Sequence, residues 1–177
     1  VPGRVNNQFS MDERNNVFRV ATSTGGWWWN QTQEPQVNNL YTMIEGGEEL
    51  EVFGKVEGLA EGETIQSARF VEDRAYLVTY ERIDPLFTID LRNPADPVVR
   101  GFVEVTGFSQ YLHPYGDNKL LAIGVDADEN GSWLGTSLSM FDVADMTNPK
   151  LIHRESMGQG WSEAQWDHKA FNFFAPK

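Results

Sequence analysis

The 177-residue chain has no cysteine, no long apolar run and few cations. Without cysteine there is neither a disulfide framework nor a thiolate metal site. Without an apolar run of about 20 residues there is no candidate transmembrane helix. Lysine and arginine number 14 against 26 aspartates and glutamates, and the net charge of −12 argues against binding to nucleic acid or to anionic membrane surfaces. The carboxylates are scattered in small groups such as Glu48, Glu49 and Glu51, which reads as a solvated acidic surface. Chemical signatures are scarce as well. No glycine-rich phosphate loop occurs, and Ser67 lies in no Gly-x-Ser-x-Gly elbow. His113, His153 and His168 have no paired metal-ligand spacing. Residues 1–177 hold no signal-peptide pattern, and a targeting segment is expected to lie outside them if there is one. The chain opens on Val-Pro-Gly rather than on Met, so the expectation is a fragment of a longer parent. No segment sustains a 3.6-residue apolar period, so helix is not expected.

What the chain does have is repetition. Asn-Asn-Val-Phe-Arg-Val-Ala-Thr (15–22), Asp-Arg-Ala-Tyr-Leu-Val-Thr-Tyr (73–80), Asp-Asn-Lys-Leu-Leu-Ala-Ile-Gly (117–124) and Asp-His-Lys-Ala-Phe-Asn-Phe-Phe (167–174) each place an Asx before a β-prone run, and they start 58, 44 and 50 residues apart. A second run follows each of the first three: 39–44, 86–91 and 138–143. The last two continue into one phrase, Asp-Leu-Arg-Asn-Pro-Ala-Asp-Pro (90–97) and Asp-Val-Ala-Asp-Met-Thr-Asn-Pro (142–149), at an offset of 52. Each unit thus holds four short strands rich in Val, Ile, Thr, Phe and Tyr, separated by Asn, Asp, Gly and Pro.

Four strands per repeat at this period is the pattern of a β-propeller blade. One small sheet cannot bury both faces alone; stacked around an axis, each sheet covers its neighbour. The expected architecture is all-β. Blade one covers 5–58, blade two 61–106 and blade three 107–157, and 160–177 supply the first two strands of a fourth. About three and a half blades do not close a ring, and the open faces are expected to favour self-association.

Several phrases resemble bacterial and archaeal secreted proteins with a C-terminal β-propeller domain: Asn-Gln-Phe-Ser-Met-Asp-Glu (7–13), Ser-Ala-Arg-Phe (67–70), Asp-Arg-Ala-Tyr-Leu-Val-Thr (73–79), Gly-Phe-Ser-Gln-Tyr-Leu-His-Pro-Tyr (107–115) and Asp-His-Lys-Ala-Phe (167–171). The likeness covers nearly the whole chain and fails in two insertions, about 24–37 and 126–137. It implies a propeller, export from the cytoplasm and a longer parent, and it carries over no catalytic residue. The function it leaves open is an extracytoplasmic binding or scaffold module; the alternative is part of a propeller enzyme, a hydrolase or a quinone-dependent one, whose catalytic groups lie in other blades.

Two loops are the candidate sites. Trp27, Trp28 and Trp29 follow Gly25 and Gly26 between strands two and three of blade one. They either cap the gap between blades or form an aromatic patch for a protein or carbohydrate ligand. Asp126, Asp128 and Asn130, followed by Gly131, match the front half of a calcium loop, but position twelve is Ser137 rather than a bidentate glutamate. The same residues would suit a plain acidic turn. Both loops join strands two and three, so both are expected at one end of the propeller. Asn30 and Asn130 head glycosylation sequons that short motifs produce by chance. His113 is expected on the innermost strand of blade three, near the channel, and His168 at a solvent-facing turn. Asp90 and Asp142, repeated beside Asx-Pro, read as turn caps.

Overall fold

The computed structural model describes residues 1–26, 35–80 and 83–174. They form three four-stranded antiparallel sheets, each in sequence order. The first contains β1 (Met11–Arg14), β2 (Val17–Thr24), β3 (Val37–Gly46) and β4 (Glu49–Leu59). The second contains β5 (Thr64–Val71), β6 (Arg74–Tyr80), β7 (Ile83–Asp90) and β8 (Val98–Thr106). The third contains β9 (Phe108–Tyr115), β10 (Lys119–Ala127), β11 (Trp133–Asp142) and β12 (Lys150–Ser156). The chain is all-β, a partial β-propeller whose sheets do not close into a ring.

Turn chemistry sets the hairpins. Asn15 and Asn16 join β1 to β2 with φ of 53° and 62°, the left-handed pair that a two-residue hairpin needs and that Asn tolerates. Asp90 accepts from the Arg92 backbone N–H at 3.0 Å, and Asp142 does the same for Ala144 at 3.0 Å. Both are the turn caps that their repeated position predicts.

Burial shows how the sheets stack. Alternate residues of β6 point to opposite faces, and both faces are buried. Ala75 and Leu77 join Ala21, Leu40, Ile65 and Ile89 between the first and second sheets. Tyr76 and Val78 join Leu112, Leu120, Ala122 and Phe141 between the second and third. A sheet with two dry faces is what a middle blade requires. Val20, Tyr41 and Met43 form a smaller cluster with Val5 and Phe18 on the other face of the first sheet.

The stacking is fastened by a device used twice. Thr42 on β3 donates its hydroxyl to Pro94 O at 2.5 Å, in the loop between β7 and β8 of the next blade. Opposite Thr42 in the register stands Gly54, and a Cβ built there would lie 2.2 Å from Pro94 O. One blade on, Thr88 donates to Met146 O at 2.6 Å. Its partner Gly101 would place a Cβ 2.8 Å from Met146 O and Thr147 O. A threonine and a glycine therefore make a seat, and the Asp…Pro loop of the following blade fills it. In blade three the equivalent pair is Met140 and His153.

The half blade expected over 160–177 does not form strands in its described residues, 160–174. They hold 3-10 turns at Glu163–Gln165 and His168–Ala170. Ser162 and Gln165 form a capping box on the first, and the Asp167 side chain caps the second. A strand needs a neighbour to take its ladder bonds. With local caps available, these residues satisfy their backbone within turns instead.

Candidate binding surfaces

Three elements meet at one end of the blades. Gln36, at the close of the connection from β2 to β3, donates its side-chain amide to Thr64 Oγ1 at 3.0 Å. Thr64 pairs with Tyr80 across β5 and β6. A Cβ on Gly131, in the connection from β10 to β11, would lie 3.8 Å from the Tyr80 hydroxyl. The two candidate loops thus leave the blades at the same end. Trp27, Trp28 and Trp29 themselves, with Asn30, lie outside the described residues.

The Asp126–Gly131 segment is held by internal bonds. Asp126, 9% exposed, accepts from Arg154 Nη2 at 2.7 Å, and the same guanidinium donates to Thr106 O at 2.6 Å. Asp128 accepts the backbone N–H groups of Asn130 and Ser132 at 2.9 and 2.8 Å. These bonds hold its carboxyl below the usual aspartate range, the Ser132 N–H first among them. Asp126 and Asp128 therefore serve different partners, and a cation on Asp126 would sit against a guanidinium. Among the described residues no group of three or more His, Asp or Glu side chains is arranged to hold a metal. Asp126→Asn is expected to destabilise the chain by about 2 kcal/mol, the scale of a charged hydrogen bond lost from a sheltered site. Urea unfolding with and without millimolar calcium measures this; the predicted loss is the same in both.

Exposed apolar side chains gather at this same end. Trp133 and Leu134 open β11 with 52% and 45% of their surface exposed. Beyond β12, Met157 donates its N–H to Thr136 O, and Thr136 Oγ1 donates to Gly160 O. Those bonds bring Met157 and Trp161, 59% and 75% exposed, to the same end as Trp133. The sequence marks Trp133 and Trp161 only as tryptophans outside the repeated phrases.

At the opposite end a cavity of about 520 Å³ opens between blades two and three, lined by Glu72, Asp73, Arg74, Asp90, Arg92, Arg100 and Asp145. Its charges are largely spent on one another. Asp90 is bound by Arg92 Nη2 at 2.5 Å and Arg100 Nη2 at 2.9 Å, while Arg14 holds Glu72 and Asp73. The guanidinium and N–H of Arg92, with Arg100, hold the Asp90 carboxyl far below the usual range. Arg74 reaches Asn118, which fills the same repeat slot one blade on, and Val143 O. This end combines bonds within blade two, around Asp90, with bonds from Arg14 and Arg74 that cross between blades.

The histidines separate. His153, on the outer strand β12, is exposed. His113, on β9, packs 5.0 Å from the Phe171 ring and 5.4 Å from Phe173. Burial, and next the charge of Arg69, push its pKa down. His168 is half-buried in its turn: its Nδ1 lies 2.9 Å from Gln8 Nε2, and its ring meets Phe9 edge-on at 5.0 Å. The turn slot is solvent-facing only if nothing folds over it, and here Gln8–Ser10 does.

Sheets in sequence order, stacked face to face with one sheet dry on both sides, define a β-propeller protein. The chain belongs to the beta propeller domain family, whose model matches residues 1–177. It is 40% identical over 183 residues to an uncharacterized protein of Methanocaldococcus jannaschii, covering 99% of this chain and 28% of that protein. It is 39% identical over 171 residues to an uncharacterized protein of Archaeoglobus fulgidus, covering 97% of this chain and 25% of that one. The chain thus spans about a quarter of the length of these curated relatives.

Proposed function

We propose that this chain is part of an extracytoplasmic propeller that works as a non-catalytic binding module, and that the end carrying Trp133 and Trp161 takes a protein partner. The observation behind this reading is the company those rings keep. Leu134 and Met157 are exposed at the same end of the blades. Aliphatic side chains add nothing to a sugar-stacking platform, whereas mixed aromatic and aliphatic anchors are the usual centre of a protein interface. The net charge of −12 favours a partner with a basic rim. The extracytoplasmic placement rests on the resemblance to exported propeller proteins. A Trp133→Ala/Trp161→Ala double variant should keep its stability within about 0.5 kcal/mol per exposed site and lose partners that the unaltered chain retains in quantitative cross-linking from a source extract. Equal capture by both proteins would contradict the assignment.

A further inference from the structure

The first strands of the three blades, β1, β5 and β9, carry matched positions. Asp12, Arg69 and His113 each stand two residues before the end of their strand, at Arg14, Val71 and Tyr115. Asp12 is occupied, because Arg19 Nε donates to it at 2.6 Å. Arg69 has no carboxylate within 4.0 Å among the described residues, in a chain with 26 carboxylates. Its guanidinium instead lies 4.5 Å from the Phe9 ring centre and 5.9 Å from that of Tyr111. Tyr111 in turn packs on Phe9 at 5.5 Å and Phe171 at 5.3 Å. A cavity of about 390 Å³ opens beside Arg69, lined also by Gln8, Phe9, Met11, Phe70, Pro114 and the carboxylates of Asp12 and Glu72. Those two carboxylates are engaged by Arg19 and Arg14.

We propose that Arg69 and the ring of Phe9, backed by Tyr111, form a binding site for a small organic carboxylate with a flat apolar body. The guanidinium fork matches a carboxylate in shape and charge, and such bidentate pairs are among the strong hydrogen bonds of proteins. Phe9 and Phe70, which line the cavity, supply apolar surface for the rest of the ligand. His113 lies beside Tyr111, with ring centres 6.5 Å apart, and so reports on occupancy. His168 reports from the other side. Since the Gln8 amide nitrogen can only donate, His168 Nδ1 accepts from it at 2.9 Å, and Nε2 lies 3.5 Å from the same nitrogen. This site is separate from the aromatic end assigned to a protein partner, and either reading can fail alone.

The test is an NMR titration of the histidine ring signals with benzoate, acetate and inorganic phosphate as probes. Benzoate should shift His113 and His168 saturably and bind about tenfold tighter than acetate, the factor that about 1.4 kcal/mol of stacking produces. Arg69→Gln should weaken benzoate binding at least about tenfold, and Arg69→Lys, which keeps the charge and loses the fork, should fall between. Three results would overturn the proposal. They are no saturable shift with benzoate, equal binding of acetate or phosphate, and unchanged binding in Arg69→Lys. The comparison of probes on the unaltered chain decides the matter even if Arg69→Gln does not fold.

Discussion

Replacing Gly54 by alanine should lower the stability of this chain by about 3 kcal/mol, at the upper end of overpacking effects. The sign is the informative part. Gly54 sits within β4 outside the left-handed φ region. In an ordinary strand, exchange of such a glycine for alanine stabilises by about 0.4–1 kcal/mol, because it removes conformational freedom from the unfolded chain. Here the new Cβ would meet Pro94 O at 2.2 Å and Ala95 C and O at 2.8 Å. Those atoms are backbone and cannot swing aside as a long side chain does. The loop would lift, and Thr42 would lose the Pro94 carbonyl it bonds. Gly101→Ala should follow the same rule more mildly, at about 1–2 kcal/mol, because its nearest atoms stand at 2.8 Å. Gly47→Ala, at φ 81° with nothing within 4 Å, should cost about 1 kcal/mol from backbone strain alone. Urea midpoints for the three variants provide the comparison. A stabilised Gly54→Ala would mean that the loop of blade two does not rest on blade one.

Removing the Asp90 carboxylate should have a comparable effect. Its side chain is 5% exposed. It accepts from the Arg92 N–H, from Arg92 Nε and from both Nε and Nη2 of Arg100. Asp90→Ala releases the Arg92 and Arg100 guanidinium groups, 72% and 41% exposed, to water, and the lost hydrogen bonds to a charged group are expected to cost about 2 kcal/mol. Asp142→Ala removes only the turn cap on Ala144, and about 1 kcal/mol should be lost. Asp90 also predicts an acid limb. Its folded pKa is depressed, so the folded state holds this proton less readily than the unfolded chain does. Its stabilisation is complete above the unfolded aspartate value of about 3.9 and declines as pH falls from there toward the folded pKa. Asp90→Asn should be less stable at neutral pH and show a shallower loss between about pH 4 and pH 2. A parallel slope in the two proteins would mean that the arginines do not hold this carboxylate.

The blades were legible in the sequence because two periods coincide in it, the alternation within strands and the recurrence of Asx-led runs every 44–58 residues. The Asp90 and Asp142 caps were legible too, since an Asx turn is a local event. The use of the Asp…Pro loop as a plug was not, because it joins residues 52 and 58 positions apart. A trace of it was visible: Thr42 and Gly54 are followed by one such loop, Thr88 and Gly101 by another. The capping box of Ser162 and Gln165 was equally readable, but the Phe-rich run after Asp167 suggested a strand. Such a run cannot say whether a pairing partner is at hand. Asp126 shows the other limit. The acidic spacing is real, yet its meaning depends on Arg154, 28 residues away. The charge of Arg69 lay in a quoted phrase, and only the stacking of Phe9 and Tyr111 around it distinguishes it from a surface arginine.

The central claim is that three small sheets lie flank to flank, each plugging its loop into the one before. Selective labelling of threonine methyl groups tests it most directly, through nuclear Overhauser contacts. The Thr42 methyl should show contacts to Pro94 and Ala95, and the Thr88 methyl to Met146 and Thr147. Thr42 contacting residues 146 and 147 instead, or neither threonine contacting a loop of the following sheet, would contradict the stacked arrangement.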